Sequence, residues 1–162
     1  MTDYLAIYLR DQLALALAWR ELAERSARSN RGSPVGEALG EVATGMAEDV
    51  RTFQRLMSVL GVRPNPVKLG LAVVAERVGR LKTNGRLLKY SPLSRFVELD
   101  MLSIGIQSKK QLWATLRDIA GLAGRVPDVN FDDLIHRARQ QHERLDPFRV
   151  DAGTETLRDN HA

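Results

Sequence analysis

Three polar residues on predicted helices are the main candidates for chemistry in this sequence: Asp49, Glu98 and His142. Iron and manganese accept carboxylate oxygens and imidazole nitrogens as ligands, so the three together form a candidate site for one metal ion. Asp49 also has a second interpretation as half of an ion pair, because a lone buried carboxylate is costly. Lys109, on the apolar stripe of another predicted helix, is its candidate partner, and Arg51 is a less favoured one.

No motif in the chain specifies a reaction. The sequence has no cysteine, which excludes disulfides, thiolate zinc sites and cysteine nucleophiles. The glycines at residues 121–124 are too few for a phosphate-binding loop, and neither Gly-x-Ser-x-Gly nor His-Glu-x-x-His occurs. We therefore expect the protein not to be an enzyme.

Residues 34–60 form the helix against which the other elements are predicted to pack. Ser33 followed by Pro34 is typical of a helix start, and Gly61 with the prolines after it marks the end. Apolar side chains recur along it in steps of three and four, the spacing of a helix packed lengthwise on other helices. The residues of this stripe are Leu39, Val42, Met46, Asp49, Phe53, Leu56 and Leu60.

Four further helices are predicted, and no segment alternates as a strand does. They cover about residues 3–28, 66–82, 93–119 and 130–145, and their expected caps include Thr2, Ser91 and Asn130. The stripe of the helix at 93–119 consists of Leu99, Leu102, Ile106, Lys109, Trp113 and Leu116. Gly105 within it costs about 1 kcal/mol relative to alanine, which indicates a close approach of two backbones.

The length and composition indicate one globular all-α domain. The chain has 162 residues, of which 44% are hydrophobic and 27% charged, enough to bury a core. We expect the helical bundle to span residues 1–146, with a flexible C-terminal tail at 147–162 that has too few apolar side chains to pack. With no apolar run of about 18 residues and no signal peptide, we expect no transmembrane segment and a cytoplasmic location.

Positive charge is concentrated in one part of the chain. The net charge is +4, but eight of the basic residues lie between positions 63 and 95, where Glu76 is the sole acidic residue. Such asymmetry is compatible with an anionic partner, either nucleic acid or anionic lipid, and with head-to-tail self-association, but a solvated face that is balanced elsewhere in the fold is the favoured interpretation. The predicted basic surface consists of Arg63, Lys68, Arg77, Arg80, Lys82, Arg86 and Lys89.

Two segments and the helix between them resemble the ferritin-like superfamily, and the layout is similar to that of uncharacterised bacterial members. The segments are AEDVRTFQRLMSVLGVRP at residues 47–64 and SPLSRFVELDMLSIGIQSKKQLWATL at 91–116. The resemblance covers about residues 3–146. It implies an antiparallel four-helix bundle of ferritin-like topology, with the helix at 66–82 as an extra crossover helix.

The di-iron site of that family needs a Glu on two helices and Glu-x-x-His on the other two. The nearest residues here are Asp11 or Gln12, Glu48 with Arg51, Glu98 or Asp100, Asp133 with His136, and Arg139 with His142. Arg51 falls where the resemblance requires an imidazole, and its permanent positive charge repels a metal ion. The resemblance therefore implies degenerate di-iron ligand positions.

The function expected from the sequence is that of a non-enzymatic bundle without a cofactor, acting by self-association as a homodimer or by docking another protein. One alternative is a metal-dependent oxidase or iron-handling protein that binds iron or manganese at Asp49, Glu98 and His142. A second alternative is a basic binding module for nucleic acid or anionic lipid.

Overall fold

The computed structural model describes residues 2–64 and 90–158, and 84% of these are helical with none in a strand. The prediction of an all-α fold is confirmed for these residues. The helices are α1 (Tyr4–Ser29), α2 (Pro34–Val59), α3 (Pro92–Ala114) and α4 (Phe131–Arg158). A π-helical turn, Thr115–Ile119, extends α3, and a 3-10 turn, Leu122–Gly124, precedes α4. The predicted helix at 66–82 lies outside the described residues.

The helices begin where short polar side chains satisfy free backbone N–H groups. Ser33 and Ser91 accept hydrogen bonds from the backbone of Gly36 and Ser94, at 3.2 and 3.1 Å, so both predicted Ser-Pro starts are confirmed. At α4, Asn130 Oδ1 accepts the Asp133 N–H at 3.1 Å, as predicted. The cap of α1 is Asp3, whose Oδ1 accepts from the Ala6 N–H at 3.0 Å, and the prediction of Thr2 is wrong by one residue.

Two apolar clusters fill the interior of the bundle. The first joins Leu9 of α1, Phe53 of α2 and Trp113 of α3, together with Phe131 at the start of α4. The second joins the other ends of the helices, with Leu22, Leu39, Leu102, Leu145 and Ala152 among its members. The apolar stripe predicted for α2 is buried from Leu39 through Leu56, and Leu60 is half-buried at the C-cap.

The last helix continues beyond its predicted end. Residues 147–158 are helical, so the prediction of a flexible tail is wrong for them, and residues 159–162 lie outside the described part. Pro147 removes one helical hydrogen bond, but packing of the following turns offsets that cost. Ala152 is buried, and a Cβ on Gly153 would lie only 2.7 Å from the Phe96 ring. This close fit requires small residues. In the sequence, the same small residues resemble the composition of a flexible tail.

Gly105 also has a different neighbour from the predicted one. A Cβ placed on Gly105 would lie 2.6 Å from the ring of Trp19, so glycine makes room for an indole of α1. The prediction that two backbones approach there is wrong. Within the described ranges, no helix combines the length and the hydrophobicity that crossing a membrane requires.

Candidate functional site

A charged cluster crosses the middle of the bundle between α2, α3 and α4. The stripe of α2 directs Asp49 inward between Met46 and Phe53, and its side chain is only 5% exposed. Lys109 of α3 meets it: the ammonium Nζ lies 2.6 Å from Asp49 Oδ2, with the lysine side chain 12% exposed. The structure therefore joins the two residues that the sequence analysis paired.

Helix α4 contributes the other half of this cluster. Lys109 Nζ also donates a hydrogen bond to Gln141 Oε1. Arg137 Nη2 lies 3.1 Å from Asp49 Oδ1, an ionic contact whose geometry falls short of a hydrogen bond, and 3.0 Å from Glu48 Oε2. Two carboxylates thus face two cations, so the charged cluster (Glu48, Asp49, Lys109, Arg137 and Gln141) is electrically balanced.

Burial changes the acidity of the lysine in this cluster. It lowers the pKa of Lys109 below its usual value, because the ammonium loses water when it is enclosed by protein. The Asp49 carboxylate opposes this effect by attraction and hydrogen bonding, and the Arg137 guanidinium adds to it by repulsion. The net direction is downward, since desolvation is the largest of these effects.

A small cavity adjoins the cluster on the side of α1. Its volume is about 30 Å³, enough for a water molecule and too small for an organic substrate. Trp113 Nε1 is buried and has no hydrogen-bond partner among the described residues. The residues that line the cavity include Gln12, Trp19, Met46, Asp49, Phe53, Lys109 and Trp113.

Glu98 belongs to a second polar network, which joins the C-terminal end of α1 to the start of α3. The buried carboxylate accepts hydrogen bonds at Oε2 from Ser26 Oγ at 2.7 Å and from the Tyr90 hydroxyl at 3.0 Å. Asn30 Nδ2 donates to the same hydroxyl at 2.7 Å, and Arg95 Nε donates to Asn30 Oδ1 at 2.8 Å. Each polar group of this network therefore has a partner supplied by another element.

Tyr90 has the largest change in acidity in this network. Burial raises its pKa to about 12, because the phenolate would lose hydration. The hydrogen bond from Asn30 lowers the value in part, and the negative charge of Glu98 raises it further.

The three residues of the alternative metal site are not gathered into one group. Asp49 belongs to the charged cluster, Glu98 to the second network, and His142 is half-buried on α4. Among residues 2–64 and 90–158, no set of three or more His, Asp or Glu side chains is placed to hold a metal ion. Arg51 is exposed and makes no contact with Asp49 that would replace Lys109.

The other residues compared with the family ligands lie at the surface or at its edge. Asp11 and His136 are exposed, and Asp100 pairs with Arg149 at 3.3 Å. Of the predicted basic surface, Arg63 alone is described: it is exposed, and its carbonyl accepts a hydrogen bond from Arg10 Nε at 3.1 Å. Lys68, Arg77, Arg80, Lys82, Arg86 and Lys89 lie outside the described residues.

Comparison with known proteins does not identify this arrangement. No protein-family model, curated protein or solved structure matches the chain. What the cluster does must therefore be inferred from its own chemistry.

Sequence reasoning missed Arg137 and Gln141. The signal was present in their spacing, because residues 137, 141 and 144 lie on one side of a helix. That side faces α2, where Glu41 binds Arg144 at 2.8 Å and a Cβ on Gly45 would lie 2.4 Å from Gln141 Nε2. On α2, a row of acidic and small residues at the same spacing indicates the surface that this side of α4 contacts.

Proposed function

We propose that the protein is a non-enzymatic bundle with ferritin-like topology, whose midline is closed by ion pairs and which acts by self-association. The observation that carries the first part is the 2.6 Å contact between Lys109 Nζ and Asp49 Oδ2. With Arg137 also 3.1 Å from Asp49, two basic side chains occupy the space beside the carboxylate. A metal ion there would meet both of them at close range.

The order of contacts between α2 and α4 supports an antiparallel arrangement. Glu41 pairs with Arg144 and Glu48 pairs with Arg137, so residue numbers rise along one helix as they fall along the other. The same holds for α1 and α3, where Trp19 meets Gly105 and Ser26 meets Glu98.

The connection from α2 to α3 fits the same topology. The segment after α2 is near the start of α1, where Arg10 bonds to Arg63, whereas Tyr90 before α3 is near Asn30 at the other end of α1. The end of α2 and the start of α3 therefore lie at opposite ends of α1, which supports a crossover between two helices that run in the same direction. One long crossover of this kind is typical of ferritin-like bundles.

Self-association is supported by exposed apolar side chains at one end of the bundle. Tyr4 is 77% exposed, Ile7 45%, Val59 66% and Ile119 80%. Each of these four residues lies within three positions of a member of the first apolar cluster, so we place all four at the same end of the bundle. We call this surface the apolar end. Single exposed apolar residues need no explanation, but a group of them favours an interface.

A second copy of the chain is the partner that suits this apolar end. Asp3, Asp11, Arg10 and Arg63 lie in the same terminal turns, so both signs of charge are present there. A surface with both signs can pair with itself across a two-fold axis, where each acidic group meets a basic group of the other copy. A partner whose surface charge is mostly of one sign could not form such reciprocal ion pairs.

Sedimentation equilibrium tests the self-association. The double variant Val59→Ser/Ile119→Ser removes two of the most exposed apolar groups at this end, and we expect it to be a monomer where the unmodified chain is a dimer. The matched control is Val150→Ser/Leu157→Ser, which removes exposed apolar groups of α4 elsewhere. A monomeric unmodified chain, or equal dissociation of the control, contradicts the proposal.

Metal analysis tests the closed midline. We expect protein purified without chelators to carry iron and manganese well below one ion per chain. A stoichiometric signal that disappears in His142→Ala would instead support the metal-dependent alternative. The basic binding module stays a prediction, since six of its seven residues lie outside the described part.

A further inference from the structure

A concave groove lies between the C-terminal end of α3 and the first turns of α4, on a different face from the charged cluster. Its volume is about 270 Å³, slightly below the usual range of about 300–1,000 Å³ for small-molecule sites. Residues spaced by three and four on each helix line it, so one side of α3 faces one side of α4 across the groove. The lining residues are Lys110, Gln111, Ala114, Arg117, Asp132, Ile135, His136 and Arg139.

Cations outnumber anions on this lining. Three basic side chains, Lys110, Arg117 and Arg139, share the groove with one carboxylate, Asp132. That carboxylate accepts a hydrogen bond from Arg117 Nη1, and Arg117 shares its charge between Asp132 and Asp118. Lys110 and Arg139 make no side-chain hydrogen bond or ion pair to any described residue. Two positive charges therefore line the groove without a partner among residues 2–64 and 90–158.

Arg117 is held in a fixed position at the wall of the groove. Its Nε donates to Asp118 Oδ1 at 2.7 Å and its Nη2 to Asp118 Oδ2 at 2.9 Å. It belongs to the π-helical turn, in which the Ala120 N–H bonds to the Thr115 carbonyl at 3.0 Å. Single π turns occur frequently at functional sites, and this one contributes Arg117 to the wall of a basic groove.

We propose that this groove binds the phosphate group of a small phosphate monoester. Phosphate offers several strong acceptor oxygens and a double negative charge, which Arg139 and Lys110 can meet with N–H donors from two helices. The remaining N–H groups of Arg117 add donors that need no rearrangement. Ala114 and Ile135 supply apolar surface for the organic part of the ligand. This site is independent of the self-association proposed above.

Titration calorimetry of the full chain at low ionic strength tests the proposal, because salt screens an exposed charged site. The probes are inorganic phosphate, phenyl phosphate and phenol. We expect both phosphates to bind, phenyl phosphate to bind more tightly because its ring contacts the apolar wall, and phenol not to bind. No measurable heat from either phosphate overturns the proposal.

Variants distinguish binding in this groove from nonspecific attraction of phosphate to a basic protein. Lys110→Gln/Arg139→Gln removes the two cations that have no partner in the described part of the chain, and we expect the affinity for phenyl phosphate to fall about tenfold or more. The control Arg51→Gln/Arg55→Gln removes the same charge from the exposed face of α2 and should leave the affinity within about twofold. An equal loss in the control overturns the proposal.

A third variant predicts a gain. Asp132→Asn removes the one carboxylate of the lining and frees Arg117 from it, so we expect phenyl phosphate to bind roughly two to five times more tightly. Weaker binding in this variant means that Asp132 does not oppose the anion, and the assignment of the groove fails.

Discussion

Asp49 and Lys109 place opposite charges between the two apolar clusters of the bundle. Both ions lose most of their hydration, and their attraction offsets this loss only as long as both are present. Removal of one partner leaves a buried charge, whereas removal of both leaves a layer that apolar side chains can fill. Gln141 accepts a hydrogen bond from Lys109, and Arg137 makes an ionic contact with Asp49.

Substitution of Asp49 tests this account at the residue scale. We expect Asp49→Ala to lower the free energy of unfolding by about 3 kcal/mol, because Lys109 is then buried without a counter-ion. The double variant Asp49→Leu/Lys109→Met should cost less than half as much. Urea denaturation at neutral pH measures both.

The exposed pair of Glu41 and Arg144, which joins α2 to α4 at the surface, serves as the control. Water screens that pair, so Glu41→Ala should cost only a small fraction of the Asp49→Ala effect. Equal costs for the two variants would show that the central pair is not desolvated as described.

Tyr90 predicts how stability depends on alkaline pH. Its pKa is about 12 in the folded protein and 10.0 without the fold, so between these values the folded state retains a proton that the unfolded chain has lost. The stability contributed by this group is fully present below pH 10 and is lost as the pH rises through 12. Tyr90→Phe should remove this part of the pH dependence.

Chemical denaturation at pH 9, 10 and 11, together with the absorbance of phenolate, measures the effect of Tyr90. The component of the titration near pH 12 should be missing in Tyr90→Phe. If the variant and the unmodified chain lose stability in parallel above pH 10, the hydroxyl is not enclosed by Asn30 and Glu98.

The pairing of Asp49 with Lys109 was predictable because both charges interrupt apolar stripes. An ion on the inner side of each of two helices needs a partner, and each was the nearest candidate for the other. Arg137 was not predictable in this way, because it lies beside the inner stripe of α4 and reaches the core with a long, half-buried side chain. The spacing of residues 137, 141 and 144 places them on one side of α4, but it does not reveal how far a flexible side chain extends toward another helix.

At the scale of the helices, starts were easier to predict than ends. Ser-Pro and Asn-x-x-Asp combine a cap with a first turn in four residues, so the signal is local. The end of α4 depends on contacts between Gly153 and Phe96, which are more than fifty residues apart. In the sequence, a proline and a polar composition indicated that the helix ends early. In the structure, the contacts between these distant residues determine where it ends.

Two glycines one turn apart on α2 give a matched test of close packing. A Cβ on Gly36 would lie 2.0 Å from the backbone oxygen of Asn30, whereas a Cβ on Gly40 would have no neighbour within 4 Å. We expect Gly36→Ala to destabilise the protein by about 2 kcal/mol or more, because a backbone group cannot move aside cheaply. Gly40→Ala should stabilise it by about 0.5–1 kcal/mol through helix propensity.

Thermal and urea unfolding of the two variants decide the point. Opposite signs are the expected result. If Gly36→Ala stabilises as Gly40→Ala does, the turn before α2 does not pack against the helix in the way described.

At the scale of the whole molecule, the last three turns of α4 belong to the second apolar cluster. Ala152 and Phe148 pack there, and Arg149 bonds to Asp100. A chain that ends at Asp146 should therefore melt roughly 5–10 °C lower in a single transition. Gly153→Val in the full chain should also lower the melting temperature, because its side chain meets Phe96.

Val150→Ala is the control for this prediction, since Val150 is on the same turns and about half exposed. Calorimetry should give an unchanged melting temperature for it. An unchanged temperature for the shortened chain would mean that residues 147–158 are a dispensable extension.

The charged cluster also fixes how the helices are aligned along their length. A shift of α3 by one turn is a movement of about 5.4 Å, and it would bring Lys109 opposite Met46 or Phe53 in place of Asp49. Contacts between apolar side chains tolerate such a shift, because they are not directional and do not require one specific partner. An ammonium group next to apolar side chains would lose its counter-ion. One longitudinal alignment of α2, α3 and α4 is therefore favoured over alignments shifted by a turn.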